Sequence, residues 1–251
     1  MLILISPSKK LCDTPKQIPV PNQVPTLLTK THQLHKILKS KSAATLEKLL
    51  NISPSLASLN WERYQDFSPS SQGYRAIMTF SGTVYEGLNA ETLSLDDLKF
   101  ANEYLRHLSG FYGILKPFDQ IQPYRLDMGT RLKTPKGSSL YAFWGNQITD
   151  QINQDLRDLN TQTVINLASH EYAKSIKPAQ LDGRLITITF KESKNGTLKS
   201  IMTYAKFARG LMARFIIQNR IKTPQDIWQF TTDGYSFNRS LSSENEWFFT
   251  R

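Results

Sequence analysis

The sequence predicts a mixed α/β (α+β) fold in a single domain spanning residues 1–251. Short apolar runs with strand character alternate along the chain with longer segments of helical apolar periodicity. The chain has 251 residues, of which 39% are hydrophobic and 21% charged, so it can bury a substantial core and has a globular composition. No linker-like tract divides it, and we therefore expect one domain.

Four short apolar runs are expected to form strands. They span residues 2–5, 76–80, 164–168 and 185–190. Residues 105–109 fit a strand or a helix end equally well, and Asn195-Gly196 predicts a hairpin after the fourth run. Open α/β sheets place their ligands beyond the carboxyl ends of strands. The polar residues that follow the first and third runs are therefore candidate site residues: Ser6, Lys9, Lys10, Ser169 and Glu171.

Helical periodicity covers much of the remaining chain. The expected helices span residues 26–50, 53–64, 93–108, 149–159, 199–222 and 225–230. Ser94 and Asp97 have the spacing of a helix N-cap pair, and Thr223 followed by Pro224 marks another helix start. Residues 141–145 (YAFWG) are aromatic enough to be predicted as part of the core.

Cysteine and histidine usage argues against disulfides and metal centres. Cys12 is the only cysteine, so neither an intrachain disulfide nor a cysteine metal cluster is possible. His32 and His35 have a spacing that can hold a metal, but no third ligand is nearby in sequence. We predict no metal and no cofactor. No apolar run approaches 18 residues, so we expect a cytoplasmic protein that does not associate with membranes.

Positive charge is concentrated in residues 184–225. Nine of these residues are Lys or Arg and one is an acid, so the segment carries +8 of the chain's formal net charge of +10. A charge this concentrated favours a polyanionic partner. The alternative is a solubilising surface with no partner, because runs of charge are often simply solvated.

The expected helix over residues 199–222 has an apolar face and a basic face. The apolar face carries Ile201, Tyr204, Ala208, Leu211, Met212 and Phe215. The basic face carries Lys199, Lys206, Arg209 and Arg220. Gly210 lies inside the helix, where glycine costs about 1 kcal/mol relative to alanine. We therefore expect another part of the molecule to approach closely at Gly210.

Residues 109–131 form a long irregular segment of the kind that often carries function. The turn from Gly110 to Gly113 could present backbone N–H groups to a phosphate. A polar lining is predicted further along, with Arg for a phosphate or carboxylate and Tyr for stacking: Tyr124, Arg125, Asp127 and Arg131. The alternative is an internally hydrogen-bonded loop that contains an Arg–Asp pair.

Several of these stretches together resemble one family. They are residues 2–9 (LILISPSK), 80–88 (FSGTVYEGL), 108–131, 140–145, 164–175 (VINLASHEYAKS) and 205–220 (AKFARGLMARFIIQNR). Their order and spacing resemble the YaaA-type peroxide-stress protein family over nearly the whole chain. Thr83 and His170 depart from the family pattern, which has acids at these two positions.

The resemblance implies a cytoplasmic bacterial protein that acts in peroxide stress. It implies a mixed β-sheet surrounded by helices, DNA binding through a positively charged cleft, and a link to limiting the free iron that makes peroxide damage DNA. It also implies a helix-hairpin-helix-like element. In this chain we place that element at the basic helix, the connection 221–223 and the helix that starts at Pro224.

The leading hypothesis is a DNA-binding stress protein with low sequence specificity, for duplex or structured DNA. The predicted phosphate-binding residues are Lys9, Arg125, Arg131, Lys199, Lys206, Arg209 and Arg220. We expect a monomer, although no feature of the sequence sets the oligomeric state.

Two other functions are compatible with the sequence. One is a nucleic-acid or nucleotide-processing enzyme of the base-excising hydrolase type, in which strand-end polar groups and Asp127 would converge in one pocket. Its candidate catalytic residues are Asp127, Glu171 and Tyr124. The other is direct iron sequestration, which the sequence supports only weakly, because its four histidines are scattered along the chain.

Overall fold

A computed structural model of the chain describes residues 1–68, 73–194 and 196–251. The β-strands in these residues are β1 (Leu2–Ile5), β2 (Lys10–Leu11), β3 (Tyr74–Arg75), β4 (Phe80–Ser81), β5 (Leu105–Ser109), β6 (Gly113–Leu115), β7 (Gln120–Ile121), β8 (Thr163–Asn166), β9 (Arg184–Lys194), β10 (Thr197–Lys199), β11 (Ser236–Asn238) and β12 (Glu246–Thr250).

The α-helices in the same residues lie between these strands. They are α1 (Leu28–Lys39), α2 (Ala43–Leu50), α3 (Pro54–Asp66), α4 (Ala76–Thr79), α5 (Thr83–Leu88), α6 (Leu95–Tyr104), α7 (Leu140–Trp144), α8 (Gln147–Asp158), α9 (His170–Ala173) and α10 (Met202–Gln218). Short 3-10 helices occupy Ala90–Thr92, Pro178–Gln180, Pro224–Gln229 and Thr232–Gly234.

A central mixed sheet organises the fold, in the order β11-β12-β9-β8-β1-β5-β6, with β10 paired to β9. The five middle strands, from β12 to β5, are parallel, whereas β11, β6 and β10 are antiparallel to their neighbours. Every residue of β1 is buried, which explains its continuous apolar sequence LILI. The predicted mixed sheet with surrounding helices is confirmed.

The strand order reverses at β1. The chain leaves β1 and places β5 on one side of it, and later places β8 on the other side. Connections on opposite sides leave a crevice at the carboxyl ends of the strands, where ligands of such sheets bind. Residues 6–10 follow β1 at this edge and residues 167–172 follow β8.

Some predicted elements differ from the observed ones. Residues 76–80, predicted as a strand, form α4 and the start of β4. Residues 76–80 are all buried, and a short run of buried apolar residues has no periodicity that separates a strand from a helix. The expected helix over 26–50 is two helices, because Ser42 starts α2 by accepting a hydrogen bond from the Thr45 backbone N–H.

The basic helix is shorter than expected. Helix α10 covers Met202–Gln218, so Lys199 lies before it on β10 and Arg220 lies beyond its end. Tyr204, predicted on the apolar face, is exposed. The element that follows α10 is a 3-10 helix, Pro224–Gln229, in place of the expected α-helix, and Thr223 makes no side-chain capping bond. A helix-hairpin-helix-like element at this position stays a prediction.

Other local predictions are confirmed. Ser94 and Asp97 form a reciprocal capping box at the start of α6. Residues 105–109 form a strand, and β9 and β10 pair as an antiparallel hairpin. Asn195, predicted in the turn of that hairpin, lies outside the described residues. In the described part of the chain, no helix has both the length and the apolar character needed to cross a membrane.

Asp119 is a buried carboxyl whose titration should change stability. Burial raises the pKa of Asp119 from 3.8 to about 6. The unfolded chain therefore loses this proton before the folded protein does, and stability falls as pH rises through this interval. The Asp119→Asn variant keeps the acceptor for the Lys116 backbone N–H. It should be more stable than wild type by about 2 to 3 kcal/mol at pH 7.

Urea unfolding of both proteins between pH 3.5 and 7.5 measures this effect. The difference in unfolding free energy should be small below pH 4 and should grow up to about pH 6 to 7. A difference that stays constant over the whole range would contradict the expected titration of Asp119.

Candidate anion-binding site

A cavity of about 300 Å³ lies at the carboxyl ends of β1 and β8, where the strand order reverses. Four segments line it: the loop after β1, the start of α5, the start of α9 with the residue before it, and one face of α10. The predicted strand-end residues Ser6, Lys9, Ser169 and Glu171 all line this cavity, and Lys206 and Arg209 line it from α10.

Ser6 joins three of these segments through hydrogen bonds. Its Oγ accepts from the Ser169 backbone N–H at 2.8 Å, and its carbonyl accepts from the Tyr85 hydroxyl at 3.0 Å. Tyr85 also contacts Nδ1 of His107 at 2.8 Å. Burial lowers the pKa of His107 to about 3, so this imidazole is neutral and contributes no charge to the site. Tyr85 is thereby held as a wall of the cavity.

Two glycines bring α10 against α5. A Cβ atom on Gly210 would lie 1.9 Å from the carbonyl oxygen of Val84, and a Cβ on Gly87 would lie 2.3 Å from that of Phe207. The two helix backbones are therefore in direct contact, which confirms the close approach expected at Gly210. Because α5 begins at the cavity, this contact brings the basic residues of α10 to its edge.

The cavity is strongly positive. Among the described residues, four cationic side chains line it (Lys9, Lys10, Lys206 and Arg209), together with one carboxylate, that of Glu171. Lys9 contacts Asp127 at 3.0 Å, and Arg125 lies 3.8 Å from the same carboxylate. Within the described residues, Lys10, Lys206 and Arg209 have no acidic partner within 4.0 Å. An anion entering the cavity would therefore meet uncompensated positive charge.

Arg209 is the most unusual of these cations. It is only partly accessible, and its Nε is buried and has no hydrogen-bond partner in the described structure. Burial lowers the pKa of the Arg209 guanidinium below its ordinary value. A guanidinium that is largely removed from water and has no acid beside it is costly in the absence of a ligand.

Glu171 is held in position by hydrogen bonds to the loop that follows Leu126 and to α7. Its Oε1 accepts from the Gly129 backbone N–H at 2.8 Å, and its carbonyl accepts from the Tyr141 hydroxyl at 2.9 Å. A Cβ on Gly129 would lie 3.1 Å from Oε1, so the absence of a side chain allows this contact. The carboxylate is thus oriented, and its second oxygen has no hydrogen bond in the described structure.

The predicted polar lining Tyr124, Arg125, Asp127 and Arg131 does not line the cavity, although Asp127 and Arg125 lie beside it. Lys9, Lys206 and Glu171 face one cavity, and Asp127 joins them through Lys9 and Arg125. The Arg–Asp pair expected for an internally bonded loop is also present, between Arg125 and Asp127. The pair holds the loop in place beside the cavity.

Two parts of the predicted phosphate-binding loop belong instead to the core. Tyr124 is buried, its ring packs on Phe111, and its hydroxyl bonds to Ser109 Oγ at 2.7 Å, so it cannot stack on a base. The turn from Gly110 to Gly113 is also buried. Ser109 Oγ already accepts from the backbone N–H groups of Phe111 and Tyr112, so these two groups are not available to a phosphate.

The predicted basic residues do not form one surface. Arg220 pairs with Asp97 at 2.5 Å and lies over the ring of Phe100, so it stabilises the contact between α10 and α6. Lys199 is exposed on β10, and Arg131 is exposed at the end of the irregular loop. The prediction of a single basic helix face is wrong, because Lys199 and Arg220, two of its four members, lie outside α10.

Sequence reasoning missed the walls supplied by Tyr85, Tyr172 and Thr83. The glycines Gly82 and Gly87, which flank Thr83 and Tyr85, are a signal in the sequence that another part of the chain approaches closely there. No three His, Cys, Asp or Glu side chains cluster closely enough to hold a metal ion in the parts of the chain that the structure describes.

The fold and the site define a mixed α/β protein with a positively charged cavity at the switch point of its sheet. Comparison with known proteins gives the family. The family described as "Peroxide stress protein YaaA" matches residues 1–241. UPF0246 protein AM1_4276 of Acaryochloris marina (strain MBIC 11017) is 49% identical over 254 residues, covering 100% of both chains. The chain belongs to the peroxide stress protein YaaA family.

Proposed function

We propose that this protein binds DNA in the cytoplasm during oxidative stress, as a monomer and with low sequence specificity. The family's description supports a role in peroxide stress. The observation that carries the DNA-binding proposal is a pair of exposed lysines at the rim of the cavity, Lys10 and Lys206, which have no acidic partner in the described structure. Lys9 extends the same rim.

The exposed lysines of the rim suit the DNA backbone better than the bases. Lys206 and Lys10 are exposed, and Lys9 has 63% of its side chain accessible, so all three can reach phosphates outside the cavity. Lysine acts as a point charge on phosphate and carries no base-reading geometry. The expected complex therefore tolerates any sequence.

This mode of binding also offers a physical link to iron-dependent damage. A protein that neutralises phosphates releases the cations condensed on them. DNA covered by the rim lysines would therefore hold less iron(II) at its backbone. Less iron at the backbone means fewer hydroxyl radicals formed beside the sugar when peroxide is present.

A salt series with two lysine variants tests DNA binding. For the Lys10→Gln/Lys206→Gln protein, the affinity for a duplex should fall at low salt. The slope of log affinity against log salt concentration should become shallower by about 1 to 2 units, because each lost phosphate contact removes roughly one unit. Fluorescence anisotropy with duplex, bubbled and single-stranded DNA measures both quantities.

Lys48→Gln is the matched control, because Lys48 is exposed on α2 and does not line the cavity. This variant should keep the wild-type slope. Wild-type affinity that does not change with salt, or an equal loss in the control variant, would refute DNA binding through this rim.

A second candidate function is a nucleic-acid or nucleotide-processing enzyme of the base-excising hydrolase type. The observation that favours it is the oriented carboxylate of Glu171 inside a cavity that also holds cations. Incubation with modified DNA should then release product, and Glu171→Gln should abolish release while DNA binding persists. Binding without product for the wild-type protein would leave the DNA-binding proposal alone.

A further inference from the structure

The interior of the cavity has properties that rim contacts to DNA do not use. Its volume of about 300 Å³ is that of a small-molecule site, and a double helix cannot enter it. Arg209 lies in this interior, whereas the rim lysines face solvent. A partly buried guanidinium that has no acidic partner among the described residues favours an anionic ligand that can reach it inside the cavity.

The chemistry of Arg209 favours a phosphate group. Guanidinium presents paired N–H donors that match the oxygens of a phosphate, and such charge-assisted bonds are strong in a site with little water. Lys206 lies three residues before Arg209 on the same face of α10, and Lys10 lines the same cavity. Four cations, Glu171 and the Asp127 carboxylate that contacts Lys9 leave a net charge of +2, which exceeds the charge of one phosphodiester.

A phosphate monoester matches this charge more closely than a phosphodiester does. A monoester carries roughly −1.5 to −2 charges near neutral pH and offers three acceptor oxygens. A monoester phosphate is a terminal group, so it can enter the cavity from one side. A phosphodiester continues in both directions and would have to pass through the cavity.

Glu171 adds a second requirement on the ligand. It lines the same cavity, yet it makes no ion pair with any of the four cations in the described structure. One of its oxygens accepts from Gly129, and the other has no partner among the described hydrogen bonds. A carboxylate oriented in this way accepts hydrogen bonds from a hydroxyl and disfavours a second anion beside it.

We infer that the cavity is a binding site for a phosphate monoester that also carries a hydroxyl, as a mononucleotide or a nucleotide end does, with Arg209 on the phosphate and Glu171 on the hydroxyl. This site is separate from the proposed DNA contacts, because its determinant lies inside the cavity and not on the rim. The same chemistry is present in a free nucleotide and in the 5′-phosphorylated end of a strand.

Calorimetric titration with defined probes tests the site. The probes are deoxyadenosine 5′-monophosphate, deoxyadenosine, inorganic phosphate, and a short single strand with either a 5′-phosphate or a 5′-hydroxyl. The wild-type protein should bind the monophosphate at least about tenfold more tightly than deoxyadenosine. It should also bind the monophosphate more tightly than inorganic phosphate, which lacks the sugar hydroxyl. A preference for the phosphorylated strand over the free nucleotide identifies a strand end as the source.

The Arg209→Gln variant should lose at least about tenfold in affinity for the monophosphate. Its melting temperature without ligand should equal or exceed that of wild type, because an uncompensated buried charge has been removed. Arg239→Gln is the matched control: Arg239 is an exposed arginine that lines a different cleft, and its loss should change neither quantity. If Arg209→Gln does not fold, Arg209→Lys keeps the charge without the paired donors and should bind with reduced affinity.

Equal affinity of wild type and Arg209→Gln (or Arg209→Lys) for the monophosphate would overturn the inference. So would equal binding of the monophosphate and deoxyadenosine. Loss of DNA binding in the rim lysine variant with normal monophosphate binding in wild type would support both sites. Monophosphate binding by a wild-type protein that shows no affinity for duplex DNA would remove the proposed function and leave this site standing.

Discussion

Replacing Gly210 with alanine should destabilise the protein by about 2 kcal/mol or more, although alanine is the better helix former. The methyl group would lie 1.9 Å from the Val84 carbonyl oxygen and 2.7 Å from the Leu88 backbone nitrogen. Both atoms belong to the backbone of α5, so no side chain can rotate away to relieve the clash. Overpacking typically costs about 1 to 3 kcal/mol and is offset here by about 1 kcal/mol of helix propensity, but separating two backbones is at the costly end.

The unfolding free energy in urea measures the effect of Gly210→Ala. Thr203→Ala on the exposed side of the same helix is the control, and it should change stability by less than about 0.5 kcal/mol. Because α5 and α10 carry two walls of the cavity, ligand affinity should fall together with stability. A Gly210→Ala protein as stable as wild type would show that α5 and α10 are not in backbone contact.

Removing the buried carboxylate of Asp155 should cost about 3 to 5 kcal/mol of unfolding free energy. Its two oxygens accept from Nε and Nη2 of Arg106 at 2.8 and 2.9 Å, and both side chains are almost fully buried. This pair connects β5 to α8. In Asp155→Ala the guanidinium remains buried, with only backbone carbonyls and the more distant Asp119 to interact with it.

A double variant separates the cost of a lone charge from the value of the pair. Replacing both partners, as Arg106→Met/Asp155→Leu, should be less destabilising than Asp155→Ala alone, because no charge is left unpaired. Urea unfolding at pH 7 gives both numbers. Additive costs in the double variant would mean that the two side chains do not depend on each other.

Local patterns in the sequence predicted much of the fold. The continuous apolar runs predicted β1 and β8, because strands buried on both faces have no polar alternation. The capping box at Ser94 and the proline at the start of α3 are chemical signals that act within a few residues. Such signals depend only on residues that are close together in the sequence.

The candidate site was also predicted in part, because some of its signals are local in sequence. Polar residues directly after buried strands indicated Ser6, Lys9, Ser169 and Glu171, and these four do meet in one cavity. Tyr124 has the same polar character in sequence but faces the core. Its hydroxyl is satisfied by Ser109, and one chain segment does not show which of its side chains will find a buried partner.

Composition and local periodicity were sufficient for the mixed α/β class, for β1, β8, β9 and the longer helices, and for the positive charge of residues 184–225. They did not predict which of these basic side chains faces the cavity and which pairs with an acid. Arg209 faces the cavity and Arg220 pairs with Asp97, although both lie in the same basic segment. The difference arises because the contact between Gly210 and Val84 orients α10 on α5, and contacts between residues so far apart in sequence exist only once the chain has folded.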